Sequence, residues 1–508
     1  MPSFANEDKR PFRIGVWCDY SITLTPTSGI GVFVYNLLAG LLELREEMEV
    51  ILLVRPGDQK EAAAFLPRGR GILRVIPDDP KWFSARTLRA LWVAGTDFCF
   101  SLNQAFKQRI AILESSIQQA VGTLLEHIWA DLQRNKKWRA YARALGLAVS
   151  LVFFWGLEAA CQLAKETVRI ILFPLQLADP IIRQGVSRPK SALELAGEAG
   201  CDVWVIPHVA FDYSLSFPSV LFIHDLIPSR FPQYFARDVV DRFNRLAVAR
   251  SAEATLCACM SGFIRDADLY GVLGLPPSKV RMIRPAPPSD FPAITQQRAA
   301  SLKPAFLNRP FLLMPAGIRR HKNQANLITG LAILRDHYGE NGLDLVLTGE
   351  SNGDLSDDLK HLIQERGLEE RVHFLGLVSR EELACLYQDA FATVMPSLYE
   401  QGSFPVYEAL HWGCPVACSD IPPLREQCEA MGEAMLYFDP LDPDDIARAI
   451  LKIRDDRQGI RARQYAASRV LWQRTWKEVA REWLAVFKEA AEMGSGSIST
   501  ANTGKSAA

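Results

Sequence analysis

The stretch from Phe391 to Cys418 can fold in few ways. Phe391 to Met395 is a short apolar, partly β-branched run closed by Pro396, and the loop that follows holds Glu400, Gly402 and Ser403. Pro405 suits the first position of a helix, because its missing N–H would be unpaired there in any case. Gly413 and Pro415 end that helix within about two to three turns, and Pro415 to Cys418 begins another buried strand. Strand, loop, helix and strand at this spacing form a βαβ unit with two carboxylates, Glu400 and Glu408, at its mouth.

That mouth suits a ligand that is both phosphorylated and hydroxylated. The backbone N–H groups of Ser403 and Phe404 and the positive end of the helix dipole favour an anion such as a diphosphate, and Gly402 lets the backbone approach closely. Carboxylates suit sugar hydroxyls. Glu408, read as lying in the first helical turn, is equally explained by the helix dipole alone. Glu400 stands outside any helix and has no such explanation.

At 508 residues the chain is too long for one ordinary core and is read as two large domains or three smaller ones. A formal net charge of −1 gives no electrostatic case for nucleic acid. None of the ten cysteines shows CxxC spacing, so reduced buried thiols in a cytoplasmic protein are expected, with no metal and no cofactor. The polar first ten residues lack an apolar signal region, so secretion is not expected.

Along the chain, Arg13–Cys18 reads as a strand, and Gly29-Ile-Gly31 as a turn opening a helix from Val32 to about Leu44. The paired glycines fit tight helix–strand packing and anion binding equally well. Val50–Val54, Asp202–Ile206 and Ser219–Ile223 continue the strands, and alternation with helices implies a parallel sheet. His224 stands at a strand's carboxyl end, where such sheets place ligands. Between about residues 77 and 195 the rhythm gives way to a helical insertion containing an apolar run, 144–164, preceded by Arg134, Lys136, Lys137, Arg139 and Arg143. Peripheral membrane contact through 130–180, a homo-oligomer or core hairpin, and a membrane span are the competing readings. Asp266 and Asp268 mimic a metal-binding pair, but residues two apart on a helix diverge. A Pro-rich segment, Arg284–Ser289, reads as the linker to a second domain beginning near Phe311, and Gly494–Ala508 as a disordered tail. In the second domain Arg319, Arg320, His321 and Lys322 precede a helix. Cations are misplaced there for helix stability, which suggests an anionic ligand.

As a set, the residues of the second domain resemble those of the family-four retaining glycosyltransferases of the GT-B fold. The resemblance rests on Glu400 and Glu408 in an E-x7-E signature, the loop Ala316–Asn323, Gly349-Glu350 and Val372-x-Phe-x-Gly376. In the first domain Ser28–Gly31, Asp202–His208 and His224–Pro228 also match. It implies an α/β architecture of two Rossmann-like domains, 12–295 and 304–465, facing a central cleft. In that cleft a nucleotide-sugar donor passes its sugar to a glycan or lipid-linked acceptor without a metal, on the cytoplasmic face of the membrane. By the same resemblance Lys322, with Arg319 or Arg320, neutralises the diphosphate, aided by Ser403 and Phe404. Glu400 holds sugar hydroxyls, Glu408 the ribose, and residues near Val372 the base; His224 adjoins the reacting sugar and Gly31 closes on the phosphates. Two departures stand out. His321 and Ala316 occupy positions where many members carry Arg, and Gln401-Gly-Ser-Phe404 replaces Gly-Phe-Gly.

Overall fold

The structure, a computed structural model, describes residues 10–18, 29–44, 48–54, 71–75, 191–293, 308–350 and 353–503, of which 71–75, 354 and 495–503 are described by backbone alone. The chain divides into two units, 1–76 with 192–508, and 77–191. The second unit, which includes the apolar run 144–164 and most of the expected insertion, lies outside the described residues apart from Ser191. Among the described residues no helix is long and apolar enough to cross a membrane.

The first unit contains two parallel sheets. The first comprises β1 (Phe12–Cys18), β2 (Met48–Val54), β3 (Gly71–Val75), β4 (Val203–Ile206), β5 (Ser219–Phe222), β6 (Leu256–Cys259) and β7 (Val280–Met282), in the order β3-β2-β1-β4-β5-β6-β7. The second comprises β8 (Phe311–Pro315), β9 (Asp344–Thr348), β10 (Val372–Gly376), β11 (Ala392–Met395), β12 (Val416–Ser419) and β13 (Leu436–Phe438), in the order β10-β9-β8-β11-β12-β13. Both are doubly wound. Each reverses direction once, between β1 and β4 and between β8 and β11, and such reversals leave a crevice at the strands' carboxyl ends. The strands are apolar on both faces because helices cover both faces: β1 reads Ile14, Val16 and Cys18 toward one core cluster and Trp17 toward another.

The C-terminal helix, Trp476–Thr503, is not an appendage of the second sheet. It crosses back and buries Trp476, Val479, Trp483, Leu484 and Phe487 against Phe33, Val34, Leu37 and Leu41 of the helix Gly29–Glu43. The crossing is close enough that a Cβ on Gly40 would overlap the Trp476 carbonyl. Likewise Gly494 sits on Pro218, where a Cβ would come within 2.5 Å of the ring. The helix runs through Gly494 to Thr503, across the start of the segment expected to be a disordered tail. The Pro-rich segment is also held, with the Trp476 indole N–H donating to the Pro287 carbonyl at 2.9 Å and Arg474 donating to the Arg284 carbonyl.

Candidate active site

The reversal in the second sheet positions the chemistry. The loop after β8 carries the basic residues and the loop after β11 carries Glu400, so the two strands flanking the crevice deliver opposite charges to one point. Arg320–Lys322 winds into one turn of 3-10 helix, and Asn323 takes a left-handed conformation at φ 63°. That strain is held by the Asn323 amide donating to the carbonyls of Pro396 (3.0 Å) and Pro440 (2.8 Å). The turn directs Lys322 to Glu400, Nζ to Oε1 at 2.6 Å. Glu400 is 9 % exposed, so this pair is largely withdrawn from water.

Opposite them stands His224, 7 % exposed, at the end of β5 and edge-on to Phe33 at 5.5 Å. Burial pushes its pKa down to about 4, with the nearby Pro207 carbonyl pulling weakly the other way. The ring is therefore neutral at pH 7. Its Nδ1 accepts from the Gln401 side-chain amide at 2.8 Å, a bond that joins the two sheets, which leaves the proton on Nε2. Nε2 is buried and has no partner at hydrogen-bonding distance. Asp225 follows, its pKa raised to about 6 by burial; Lys322 lowers it and Glu400 raises it, which puts it within their field. Gly31 is buried in the first turn of the helix Gly29–Glu43, two residues from Phe33. That helix takes in Gly29 and Gly31 instead of starting at Val32.

Other expected site residues lie differently. The helix after Glu400 starts at Phe404 with Pro405 second, so Glu408 falls in its second turn and no acidic residue lies in the first. The helix-dipole explanation of Glu408 is thereby removed. Glu408 instead accepts from the Tyr387 hydroxyl at 2.7 Å, and burial raises its pKa. Ser403 is not a free anion donor: its N–H goes to the Gln427 side-chain oxygen at 2.6 Å, and the Gln427 amide returns a bond to the Ser403 carbonyl at 2.8 Å. A Cβ on Gly402 would lie 3.3 Å from that same oxygen, so Gly402 makes room for Gln427. Phe404 packs against the first sheet's core. Val372 starts β10 and is buried in the second sheet's core, four residues and about 13 Å from the carboxyl edge at Gly376, so its side chain cannot line the crevice. Arg319 and Arg320 are exposed and paired with Glu350 and Asp358, each at 3.1 Å.

Gly349 holds the basic loop in place. At φ 102°, it approaches the loop so closely that a Cβ would lie 2.6 Å from the Gly317 nitrogen. Gly349→Ala is expected to cost about 1–3 kcal/mol in backbone strain and to shift the loop that carries Lys322; a urea midpoint within error of wild type would refute this.

Sequence reading missed the bolt beside Glu400. Tyr399 is 5 % exposed, inserted into the first sheet's core, and its hydroxyl donates to Asp268. Asp268 is fully buried and also accepts from Arg230 at 2.8 Å. The Asp266/Asp268 pair thus has two separate structural employments, since Asp266 pairs with Arg265 at 2.7 Å. Among the described residues no cluster of His, Cys, Asp and Glu could hold a metal ion.

The pH dependence of stability has a calculable sign. His224 and His321 drop to about 4 from an ordinary 6.5, both mainly through burial, so between pH 6.5 and 4 the folded state binds fewer protons than the unfolded. Each contributes stability that is complete above about pH 6.5 and lost as pH falls through that window. Asp225, at about 6 against 3.8, has the opposite sign over nearly the same range. The two histidines therefore favour loss on acidification, while Asp225 and Glu408, also raised by burial, oppose it. His224→Gln should flatten the plot of urea midpoint against pH between 6.5 and 4, and an unchanged slope would count against the buried neutral ring.

Residues 296–470 match the family model described as glycosyl transferases group 1. O-antigen chain mannosyltransferase B of Escherichia coli is 28 % identical over 282 residues, 53 % of this chain and 70 % of that protein. The MMP alpha-(1->4)-mannosyltransferase of Mycolicibacterium hassiacum is 32 % identical over 149 residues, 29 % of this chain and 35 % of that protein. Among solved structures, sucrose-phosphate synthase from Thermosynechococcus elongatus superposes with TM-score 0.57 at 15 % identity, covering 94 % of this chain and 98 % of that one. Residues 296–470 are therefore similar to group 1 glycosyl transferases, and the chain has the two-sheet GT-B fold.

Proposed function

We propose that the chain is a retaining, family-four-type glycosyltransferase that moves a sugar, with mannose the first choice, from a GDP- or UDP-linked donor to a lipid-linked or polysaccharide acceptor. One observation carries the reading: Lys322 and Glu400 meet at 2.6 Å at the reversal point of the second sheet, facing a neutral buried histidine. Without donor each satisfies the other. A bound donor replaces the pair with better-matched partners, diphosphate on Lys322 and sugar hydroxyls on Glu400. When the anomeric C–O bond breaks, both electrons go to the diphosphate, where Lys322 meets the growing charge. The acceptor oxygen bonds the same carbon on the same face, and its proton leaves with the diphosphate. His224 Nε2–H donates to the sugar. Glu408 serves the ribose through the oxygen not held by Tyr387. No metal is required, because fixed cations supply the positive charge. The names of the relatives support the mannose donor, and the basic-flanked run 144–164 supports a membrane-bound acceptor.

A thermal-shift screen against nucleotide sugars tests the donor. One nucleotide family should raise the melting temperature, and absence of any shift with GDP- and UDP-sugars would favour the alternative, a catalytically degenerate scaffold. The capture of the Ser403 N–H by Gln427 is the observation on that alternative's side. For the acceptor, pelleting with liposomes should depend on residues 130–180, and equal pelleting without them discards the membrane contact.

A further inference from the structure

The residues that follow Leu398 alternate between the two sheets. Leu398 itself is held on the second sheet's side, its N–H donating to the His321 carbonyl at 2.7 Å. Tyr399 enters the first sheet's core and its hydroxyl donates to Asp268, Glu400 turns back to Lys322, and Gln401 crosses again, its side-chain nitrogen 2.8 Å from His224 Nδ1. Of the two crossings, the one made by Gln401 ends on a ring that the proposed transfer uses.

His224 is a neutral ring, and a neutral imidazole carries its proton on one nitrogen only, so whatever binds one nitrogen decides what the other can do. Its aromatic neighbours do not decide. Phe33 stands edge-on at 5.5 Å and 74°, and Phe222 lies nearly parallel at 6.2 Å and 24°, contacts that fix the plane of the ring without telling its nitrogens apart. The Pro207 carbonyl favours an added proton. The Gln401 amide is the contact that distinguishes the nitrogens, because it meets Nδ1 with an N–H group. Nδ1 must then be bare, and Nε2 must carry the proton. An acceptor oxygen in the same place would call for the opposite tautomer.

We infer that Gln401 is a positioning residue for the proposed transfer: reaching from the second sheet, it holds His224 in the Nε2–H form, so that the two sheets together, and neither alone, make the histidine a hydrogen-bond donor. The inference rests on the transferase reading for what that donor meets. It adds that the donor is assembled by the meeting of the sheets. The ring comes from the end of β5 and its tautomer from the loop after β11. When the sheets part, the bond to Nδ1 is lost and the proton is shared between both nitrogens. The arrangement that brings Lys322 and Glu400 toward His224 is thus also the one that readies the ring.

Nitrogen NMR of the full chain, isotope-labelled at its eight histidines, reads the tautomer without any donor, because bare and protonated ring nitrogens resonate far apart. The His224 signals are those that His224→Gln removes. Wild type should show Nδ1 bare and Nε2 protonated. Gln401→Leu should give shifts averaged over both tautomers, and Gln401→Glu, whose carboxylate can only accept, should put a proton on Nδ1. Circular dichroism checks the fold of each variant. In transfer assays Gln401→Leu should lower kcat about 2–10-fold, the bias that one ordinary hydrogen bond exerts on a two-state equilibrium, with donor KM little changed. That loss should vanish in a His224→Gln background, since the two residues act as a unit. The inference is overturned if His224 keeps wild-type shifts in both Gln401 variants, if the wild-type ring carries its proton on Nδ1, or if Gln401→Leu costs as much in the His224→Gln background. Absence of transfer by the wild-type chain with every nucleotide sugar would sink the transferase reading and this inference with it, whereas an unmoved histidine in an active chain sinks the inference alone.

Discussion

Glu400→Ala is expected to lower kcat/KM for sugar transfer by about 10²–10³-fold, the loss typical of removing one preorganised polar contact to a transition state. The substitution acts twice. It removes the acceptor for the sugar hydroxyls, and it leaves Lys322, whose side chain is only 22 % exposed, without its 2.6 Å partner and free to settle elsewhere before donor arrives. Lys322→Ala should give a loss of similar size. The double variant should be little worse than either single one, because groups that act as a unit are not additive. Release of radiolabelled sugar from the donor identified by thermal shift measures all three; a Glu400→Ala enzyme within threefold of wild type would remove Glu400 from the chemistry.

The second large effect is on stability. Asp268→Ala should cost about 3–5 kcal/mol, because it strips a buried carboxylate from both Arg230 and the Tyr399 hydroxyl and leaves the guanidinium without its 2.8 Å partner. Tyr399→Phe removes one bond and keeps the ion pair, so about 1–3 kcal/mol is expected. Since Tyr399 precedes Glu400, the Phe variant should also raise the donor KM. Equal midpoints for wild type and Asp268→Ala in urea would show that the bolt does not hold the sheets.

How much of this was written in local sequence depends on the range of the interaction. Several strands, among them Val50–Val54, Asp202–Ile206 and Phe391–Met395, were legible as short apolar runs closed by a turn or a proline, whereas β3, β6, β7 and β13 and the points where the winding reverses were not read. Glu400 and Lys322 were legible because each sits where helix and strand preferences do not explain it. What stayed hidden depends on partners far along the chain. Nothing near Ser403 announces that Gln427 will take its N–H, nothing near Asp268 announces Tyr399, and Val372 was placed by a motif whose first residue turns inward. Glu408 was assigned to the first helical turn and not the second because Phe404, one residue before Pro405, starts the helix.

The return of the C-terminal helix onto the first sheet has a temporal consequence. During synthesis the apolar face of Gly29–Glu43 leaves the ribosome more than 400 residues before Trp476, a wait of about 20–90 s at ordinary elongation rates. Throughout that interval Phe33, Val34 and Leu37 have the first sheet on one side but lack Trp476, Val479, Trp483 and Phe487 on the other. The earliest part of the protein to be made is thus among the last to be sealed, so the nascent chain presents a sticky surface whose protection is a matter for the cell's chaperones until the final helix closes over it.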